Sequence, residues 1–361
     1  MPNNKSFPNI IISLITLILP ITGIIYLTVT IGVPLLDVAT KIQETNLLAG
    51  ETVHEQFRPL NPPNLLPPQL VKFDRERQGQ EIGFAANQEA REIDQEKFIG
   101  CTINLSSGTS LNNSQIENSV LNIDGLFATI QNSIIKNTHI NIRKDSIATI
   151  TNSLVQGTSI DIDRAQLAVE KSTFIDNSPI TLFSTKGNTF LRINNTIFEN
   201  NTGQIITTQI EKNLDKDGNE IFLIPQIQIE NSSFDNNSET PITLTQISLM
   251  GTKLENNIFS GGSKPYIQIK DSPKAYIVIK QNYFKDQGIV TNNSDHIIIC
   301  ANKFENLTNY AAQLINSNLV AFQYNTFANI SPAGILTQNT PQIELVHNEF
   351  NDTEEIVKVI D

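Results

Sequence analysis

A short phrase recurs through the C-terminal two thirds of this chain. It consists of an Asn, one or two small or polar residues, and then a bulky apolar residue that we call the anchor. Longer copies read Asn113-Ser-Gln-Ile116, Asn132-Ser-Ile-Ile135, Asn152-Ser-Leu-Val155, Asn195-Thr-Ile-Phe198, Asn231-Ser-Ser-Phe234 and Asn256-Asn-Ile-Phe259; one copy, Lys171-Ser-Thr-Phe174, lacks the Asn. Shorter copies read Asn282-Tyr-Phe284, Asn302-Lys-Phe304, Asn325-Thr-Phe327 and Asn348-Glu-Phe350. Successive anchors are 19 to 36 residues apart, and such a period, tolerant of insertions, is typical of a solenoid.

Two further segments accompany each copy of the phrase. An apolar run precedes it, as in 126–130, 147–150, 167–169, 226–229, 276–279, 297–299 and 343–346. A strand of alternating apolar and polar residues follows it, as in 139–143, 159–163, 179–183, 241–245 and 266–270. Because strand side chains alternate between two faces, the Ile and Leu residues of these segments should point inward. In 179–183, this assigns Ile180 and Leu182 to the interior.

Short alternating strands with a period near 22 predict an all-β fold, a right-handed parallel β-helix of about 11 coils over residues 99–361. The recurring Asn has a physical role in such a fold. Its side chain satisfies backbone groups of a turn and it tolerates the left-handed conformation, so that equivalent turns can stack as ladders.

The repeats resemble the right-handed β-helix superfamily, which includes pectate lyases, polygalacturonases, carbohydrate epimerases and bacterial surface adhesins. Phe174-x-x-Asn177, Phe198-x-x-Asn201 and Phe234-x-x-Asn237 look like the FxxN element of polymorphic membrane-protein repeats. The resemblance concerns the coil pattern. It implies either a binding surface or carbohydrate chemistry on an outer face of the solenoid.

The N-terminal region differs in composition from the repeats. Residues 10–36 carry no charge, and this run exceeds the 18 to 20 residues that a membrane-spanning helix needs. We predict a signal anchor in residues 1–36 with a cytoplasmic N-terminus and the β-helix on the extracytoplasmic side, periplasmic or extracellular. The alternative is a long signal peptide that is cleaved.

Residues 37–98 are predicted to connect the membrane to the solenoid. We expect a membrane-proximal helix, then a Pro-rich linker around Asn61-Pro62-Pro63 and Pro67-Pro68, and then a helix between Gln69 and Phe98 that caps the first coil. The longest repeat contains an insertion near 205–226. Its Asp217-Gly218 pair predicts a β-hairpin, and the alternative of a calcium loop fails because Ile224 occupies the position of the bidentate Glu.

One column of outward residues is the candidate site. Asp124, Arg143 and Asp163 are expected to lie above one another, with Asn122, Asn141 and Asp161 beside them. Carboxylates and an Arg on such a face could bind a ligand or supply a general base. The alternative is a ladder of alternating charge with a purely structural role, since later coils place Thr181, Thr243 and Gln268 in that column.

Composition excludes several functions. The net charge is −12, and binding nucleic acid requires a basic patch. His54, His139, His296 and His347 are widely spaced, so no metal site and no cofactor are predicted. Cys101 and Cys300 should lie roughly 40 Å apart in a solenoid, too far for an intramolecular disulfide. We expect two partly buried free thiols, and the alternative is a disulfide between two molecules.

These observations favour a membrane-tethered binding or structural module in an envelope assembly. The alternative is a polysaccharide lyase or epimerase of the β-helix class, although the absence of Trp argues against a sugar-processing groove. A protein partner is expected at the C-terminal end of the solenoid, because residues 354–361 are few for covering three strand edges. The alternative is that this tail is itself the cap.

The anchor prediction has a direct test. If residues 10–36 are a retained membrane span, the mature protein keeps residues 1–36. Mass spectrometry of the protein purified from its membrane should therefore find peptides from this region. A mature N-terminus between residues 37 and 60 would contradict the prediction.

Overall fold

The computed structural model describes residues 57–69, 72–83, 92–216, 218–247 and 252–360. The predicted signal anchor lies outside these residues, and so does the predicted membrane-proximal helix up to residue 56. The predicted Pro-rich linker lies within them and has no helix or strand. Among the residues described, no helix is long and apolar enough to span a membrane. The regular elements of this part of the chain are all strands, numbered β1 to β40 in chain order.

Three long parallel sheets wind around one core. Sheet A contains β1 (Arg75–Gln78), β4 (Glu96–Ile99), β7 (Gln115–Glu117), β10 (Ile134–Lys136), β13 (Leu154–Gln156), β16 (Thr173–Ile175), β19 (Ile197–Glu199), β24 (Ser233–Asp235), β27 (Ile258–Ser260), β30 (Tyr283–Lys285), β33 (Lys303–Leu307), β36 (Thr326–Ile330) and β39 (Glu349–Thr353). Sheet B contains β2 (Glu81–Gly83), β5 (Thr102–Leu105), β8 (Val120–Ile123), β11 (His139–Ile142), β14 (Ser159–Asp163), β17 (Thr181–Lys186), β20 (Gln204–Gln209), β25 (Ile242–Thr245), β28 (Ile267–Ser272), β31 (Ile289–Ser294), β34 (Ala312–Ile315), β37 (Ile335–Gln338) and β40 (Val357–Ile360). Sheet C contains β3 (Glu92–Asp94), β6 (Ser110–Asn112), β9 (Ala128–Gln131), β12 (Ile147–Thr151), β15 (Gln166–Glu170), β18 (Phe190–Asn194), β23 (Gln226–Glu230), β26 (Lys253–Glu255), β29 (Ile277–Lys280), β32 (Ile297–Cys300), β35 (Val320–Gln323) and β38 (Ile343–Val346). The all-β parallel solenoid of the prediction is therefore confirmed.

The anchors form one inward column. Phe98 pairs with Ile116, and every later anchor pairs with the next in unbroken register as far as Phe350. The anchor phrase is thus a strand in its own right, the strand of sheet A. The solenoid has about 12 turns, one more than the anchors predicted, because it begins before the first of them.

The predicted cap helix is wrong for the described part of residues 69–98. Residues 75–83 and 92–99 form β1 to β4, which pair with the next coil. Ile82, Ile93 and Phe98 are buried, one in each sheet. Their spacing fits inward positions of successive strands. Each of these strands pairs with a strand of the next coil, so that the backbone N–H and C=O groups on that side are hydrogen-bonded without a covering helix.

Two columns of left-handed residues border sheet A. The residue two positions after each anchor has a positive φ in every coil from Gly79 to Asp352, and it is always Gly, Asn or Asp. The residue three positions before each anchor, from Gln95 to His347, also has a positive φ. Even Lys171, in the copy without Asn, has φ 48°. These columns turn the chain at the same two places in every coil.

Inward polar ladders lie beside these turns. The residue two positions before the anchor is Ser or Thr from Ser114 to Ser232 and Asn from Asn257 to Asn348. In most of these steps the side chain accepts the backbone N–H of the preceding coil, at 2.8–3.2 Å. The predicted role of Asn is therefore confirmed. The phrase does not shorten, however, since its Asn moves from the left-handed position to the ladder position.

The FxxN element forms a second ladder. Asn177, Asn201 and Asn237 are buried, and the first two donate their side-chain amides to the next Asn Oδ1 at 2.8 and 2.9 Å. Tyr266 acts in a similar place one coil later, where its hydroxyl accepts the N–H of Gly262 and donates to the Lys285 carbonyl. Burial raises the pKa of this hydroxyl above its usual range.

The aromatic anchors stack along the axis. From Phe174 to Phe350, eight consecutive Phe rings have centroids 4.6–5.2 Å apart. The interplanar angles do not exceed 22°, so the rings are nearly parallel. The spacing is that of parallel strands, which means that the coil stack holds each ring over the next.

One inward assignment is wrong. Ile180 is 90% exposed, whereas the adjacent Leu182 and Phe183 are both buried. The turn before β17 is longer than in earlier coils, so Ile180 stays in the turn. As a result Ser184, and not Thr181, pairs with Asp161.

The predicted hairpin is confirmed. β21 (Glu211–Leu214) and β22 (Glu220–Leu223) pair antiparallel between sheets B and C. Asp215 accepts hydrogen bonds from the backbone and the side chain of Asn219 at 2.8 and 2.9 Å, as a hairpin tip requires.

Truncating an anchor side chain to Ala should lower the free energy of unfolding far more than truncating its outward neighbour. Phe174→Ala opens a cavity between Phe183 and Phe198, whose centroids are each 5.2 Å away, and should lower the free energy of unfolding by about 3–5 kcal/mol. Thr173→Ala on the same strand should cost less than about 1 kcal/mol. Urea unfolding of both variants provides the measurement, and equal losses would mean that inside and outside are misassigned.

Candidate functional site

The candidate site lies on the outer face of sheet B, in its N-terminal half. Asn104, Asn122, Asn141 and Asp161 occupy one column in direct register, followed by Ser184. The alternating pattern of β8, β11 and β14 buries the Ile and Leu residues and leaves these polar side chains outside. The structure thus brings together the predicted Asn122, Asn141 and Asp161.

The asparagines form an external amide ladder. Asn141 donates its Nδ2 to Asn122 Oδ1 at 3.0 Å, and Asn122 donates to Asn104 Oδ1 at 2.8 Å. Each amide keeps a second N–H and further acceptor capacity. The ladder therefore fixes the orientation of a row of groups that could bind to hydroxyls or amides of a ligand.

His139 stands at the end of this ladder and joins two neighbours. Its Nδ1 lies 2.7 Å from Ser159 Oγ, and its Nε2 lies 3.4 Å from Asp161 Oδ2. With a proton on Nε2, the ring donates toward Asp161 and its Nδ1 accepts from the Ser159 hydroxyl. This is the arrangement of an imidazole base held by a carboxylate.

His139 and Ser159 were not among the predicted site residues. Both lie two positions before a predicted site residue, His139 before Asn141 and Ser159 before Asp161. In an alternating strand, that spacing puts the two side chains on one face. The signal was therefore present, but it becomes useful only once the register between coils is known.

The charged column behaves differently from the prediction. Arg143 follows Ile142 as Asp163 follows Ile162, so the two stay in register, with Asp124 in the corresponding place one coil earlier. No ion pair joins Arg143 to either Asp among these three described residues. Asp163 pairs sideways with Arg164, at 3.2 Å, and the hydrogen bond raises the pKa of Arg164.

Arg164 also connects the site to the hairpin. Its Nε lies 3.6 Å from Glu211 Oε2 at the start of β21. The hairpin is therefore fixed beside the corner where sheet B turns toward sheet C. The predicted ladder of alternating charge is therefore incomplete, because the Asp163 carboxylate pairs with Arg164 and not with Arg143.

The described residues contain no group of three or more His, Cys, Asp and Glu side chains able to hold a metal ion. Cys101 is buried in the turn after β4 and Cys300 ends β32, and they form no disulfide with each other. Among the described residues, the outer face of sheet B offers amides, hydroxyls, the imidazole of His139, carboxylates and cations such as Arg143.

The comparisons with known proteins concern the fold. The family described as "Right handed beta helix region" matches residues 214–360. This region is a right-handed β-helix. Its three sheets continue without a break into the coils before residue 214. No curated protein matches the sequence.

The chain aligns with several solved structures. The periplasmic alginate epimerase AlgG aligns with a TM-score of 0.46 and 9% identity, over 75% of this chain and 78% of the other. A double mutant of that epimerase aligns at 0.44 and 13%, over 75% and 66%. The catalytic domain of a GH87 alpha-1,3-glucanase in complex with nigerose aligns at 0.42 and 10%, over 82% and 68%. Likeness at this level describes the winding of the chain and neither a substrate nor a reaction.

Proposed function

We propose that this protein is a membrane-tethered β-helix that binds an extended, hydroxyl-rich polymer on the outer face of sheet B. The amide ladder from Asn104 to Asn141 carries the proposal. Amides pre-oriented by their neighbours offer both donors and acceptors, which are the groups that hydroxyls of a polysaccharide need. Because coils repeat about every 4.8 Å, the same groups recur along the axis and suit a repeating ligand.

The tether and the compartment rest on the sequence. The charge-free residues 10–36 support a signal anchor with the β-helix on the extracytoplasmic side, where envelope polymers occur. The net charge of −12 favours a neutral polymer over a strongly anionic one.

Exposure favours binding over catalysis. His139 and Asp161 are 41% and 54% exposed at their side chains. A catalytic acid–base pair gains most of its effect from a preorganised, water-excluded site, whereas exposed groups interact weakly. The arrangement is therefore better suited to recognising a ligand than to stabilising a transition state.

A carbohydrate-active enzyme is the second candidate, and His139 is the observation that favours it. Its Nε2 faces Asp161, and its Nδ1 could take a proton from a bound sugar ring once the Ser159 hydroxyl has turned away from that nitrogen. Such a step belongs to epimerases and lyases. It would make His139 the base and Asp161 its positioning residue.

A triple variant tests whether the outer face of sheet B binds the ligand or has only a structural role. Arg143→Ala with Asp161→Asn and Asp163→Asn removes three charged groups of this face. If the face binds polysaccharide, affinity for the best ligand on a glycan array should fall at least about tenfold, as expected for the loss of one or two charge-assisted hydrogen bonds. Products should be assayed in the same samples.

Sheet C supplies the matched control. Arg192→Ala with Glu170→Gln and Glu230→Gln changes the net charge by the same amount on another outer face, and it should leave binding unchanged. Turnover by the wild type that disappears in folded His139→Ala would establish the enzyme in place of the binding module. Equal loss of binding in both triple variants would contradict the assignment to sheet B.

We also propose a protein partner at the C-terminal end of the solenoid. β38, β39 and β40 are each paired on one side only within the described chain. Val359 and Ile356 are 70% and 48% exposed there. Unpaired strand edges with exposed apolar side chains can accept a further strand by β-augmentation.

Deletion of residues 353–361 tests this partner. Cross-linking in native membranes should capture a protein on the intact chain and lose it on the deletion variant, while circular dichroism keeps its β-sheet signal. An intact ectodomain that is monomeric and uncross-linked, together with a deletion variant that unfolds, would show that the tail is the cap.

A further inference from the structure

Residues 57–69, which we call the strap, begin far from the coil into which they lead. The Phe57 ring lies 6.2 Å from the ring of Tyr283, and the Arg58 backbone N–H donates to Gln281 Oε1 at 3.1 Å. Tyr283 is in β30, the tenth strand along sheet A. The chain enters the first coil at Asp74, whose N–H donates to the Gln95 carbonyl at 2.8 Å.

The distance restricts the path. Nine strand steps separate β30 from β1, or about 43 Å at ~4.8 Å per step. The 16 residues from Arg58 to Asp74 span about 50 Å as a polyproline-II segment and only about 24 Å as an α-helix. The strap must therefore run almost straight, parallel to the solenoid axis.

The strap sequence suits that path. Five of its 13 residues are proline, which favours polyproline II. That helix has three residues per turn, and the strap is half-buried at Phe57, Leu60 and Pro63 and then again at Leu65 and Pro68. Leu66 between them is 81% exposed. One side of the strap is thus covered and the other faces solvent.

The outer column of sheet A offers a matching surface. Ile134, Leu154, Ile197 and Ile258 point outward in one register column that continues to Tyr283, and Thr173 and Ser233 are the polar members of this mostly apolar column. The apolar members and Tyr283 are half-buried although they are on the outside of the solenoid. The corresponding column of sheet B is polar throughout and consists of Asn141, Asp161, Ser184, Thr207, Thr243 and Gln268. An apolar outer stripe is what a second layer of chain would pack against.

Tyr283 is held as a platform at the far end. Its hydroxyl donates to Glu305, and Lys303 lies over its ring at 5.6 Å while pairing with Glu305 at 2.7 Å. Burial, and then the hydrogen bond to Glu305, raise the pKa of Tyr283. The hydrogen bond from Lys303, and then that from Tyr283, lower the pKa of Glu305. The ring is therefore fixed where Phe57 meets it.

We propose that the outer stripe of sheet A is a docking surface for a polyproline-II segment, and that the strap of the same chain occupies it. Docking holds Phe57 at the coil of β30, about 43 Å along the axis from the first coil. Release would free about 50 Å of extended chain between Arg58 and Asp74. The docking does not rest on the proposed polymer binding.

A cross-linking experiment on the full chain tests the strap. In a chain whose own cysteines are changed to Ser, Arg58→Cys with Gln281→Cys should be joined by a short bismaleimide and yield a linked peptide in mass spectrometry. Arg58→Cys with Glu117→Cys, on β7 near the other end of sheet A, should not be joined. Phe57→Ala should lower the yield of the first pair several-fold, whereas Leu66→Ala should leave it unchanged.

Mixing ¹⁴N- and ¹⁵N-labelled chains before cross-linking identifies the occupant. Linked peptides of uniform isotope content support docking within one chain. Hybrid peptides would show that the strap docks on a second copy and would overturn the proposal. Equal yields for the 281 and 117 pairs, or equal effects of Phe57→Ala and Leu66→Ala, would also overturn it.

Discussion

The structure depends on the chain turning at the same two places in every coil. On both sides of sheet A, one residue per coil adopts the left-handed conformation, which costs about 1–2 kcal/mol for most L-residues. After the anchor this position is filled only by Gly, Asn and Asp, which adopt it most readily. A constant turn keeps the anchors in register, and only constant register allows rings such as Phe284 and Phe304 to stack at 4.8 Å.

The left-handed position before each anchor lies next to the ladder position, and Asn is suited to both. Where the ladder residue is Ser, as at Ser133, the left-handed place before it is usually Asn. Where the ladder residue is Asn, as at Asn302 and Asn325, the left-handed place holds Ala301 or Tyr324. The Nδ2 of Asn302 donates to the Ile279 carbonyl of the coil before and to Asn325 Oδ1, which also accepts the backbone N–H of Asn302. These hydrogen bonds offset the strain of a less suitable residue at the left-handed position. This division explains why the recurring phrase appears to change its length.

Sequence alone predicted the fold because the period-two alternation and the repeat spacing are local signals. It failed where two patterns overlap. Ile82 and Ile93 fit both a helical face and the inward positions of successive strands, and only pairing with the next coil distinguishes the two. The site was predicted in part for the same reason. Asn141 and Asp161 follow from alternation, but the contact of His139 with Asp161 needs the exact offset between coils.

The outer faces of sheets A and B differ although their inner faces are alike. Sheet A has Ile134 and Ile258 outside and sheet B has Asn122 and Asp161, while both bury an aliphatic or aromatic column. Core packing cannot account for that difference, because these side chains do not contribute to it. An apolar outer column needs a cover, and the contact of Phe57 with Tyr283 places the strap at one end of that column. A polar outer column is stable in water and remains available to a ligand. The two outer faces therefore differ in role: that of sheet A packs against the strap, and that of sheet B is open to the solvent.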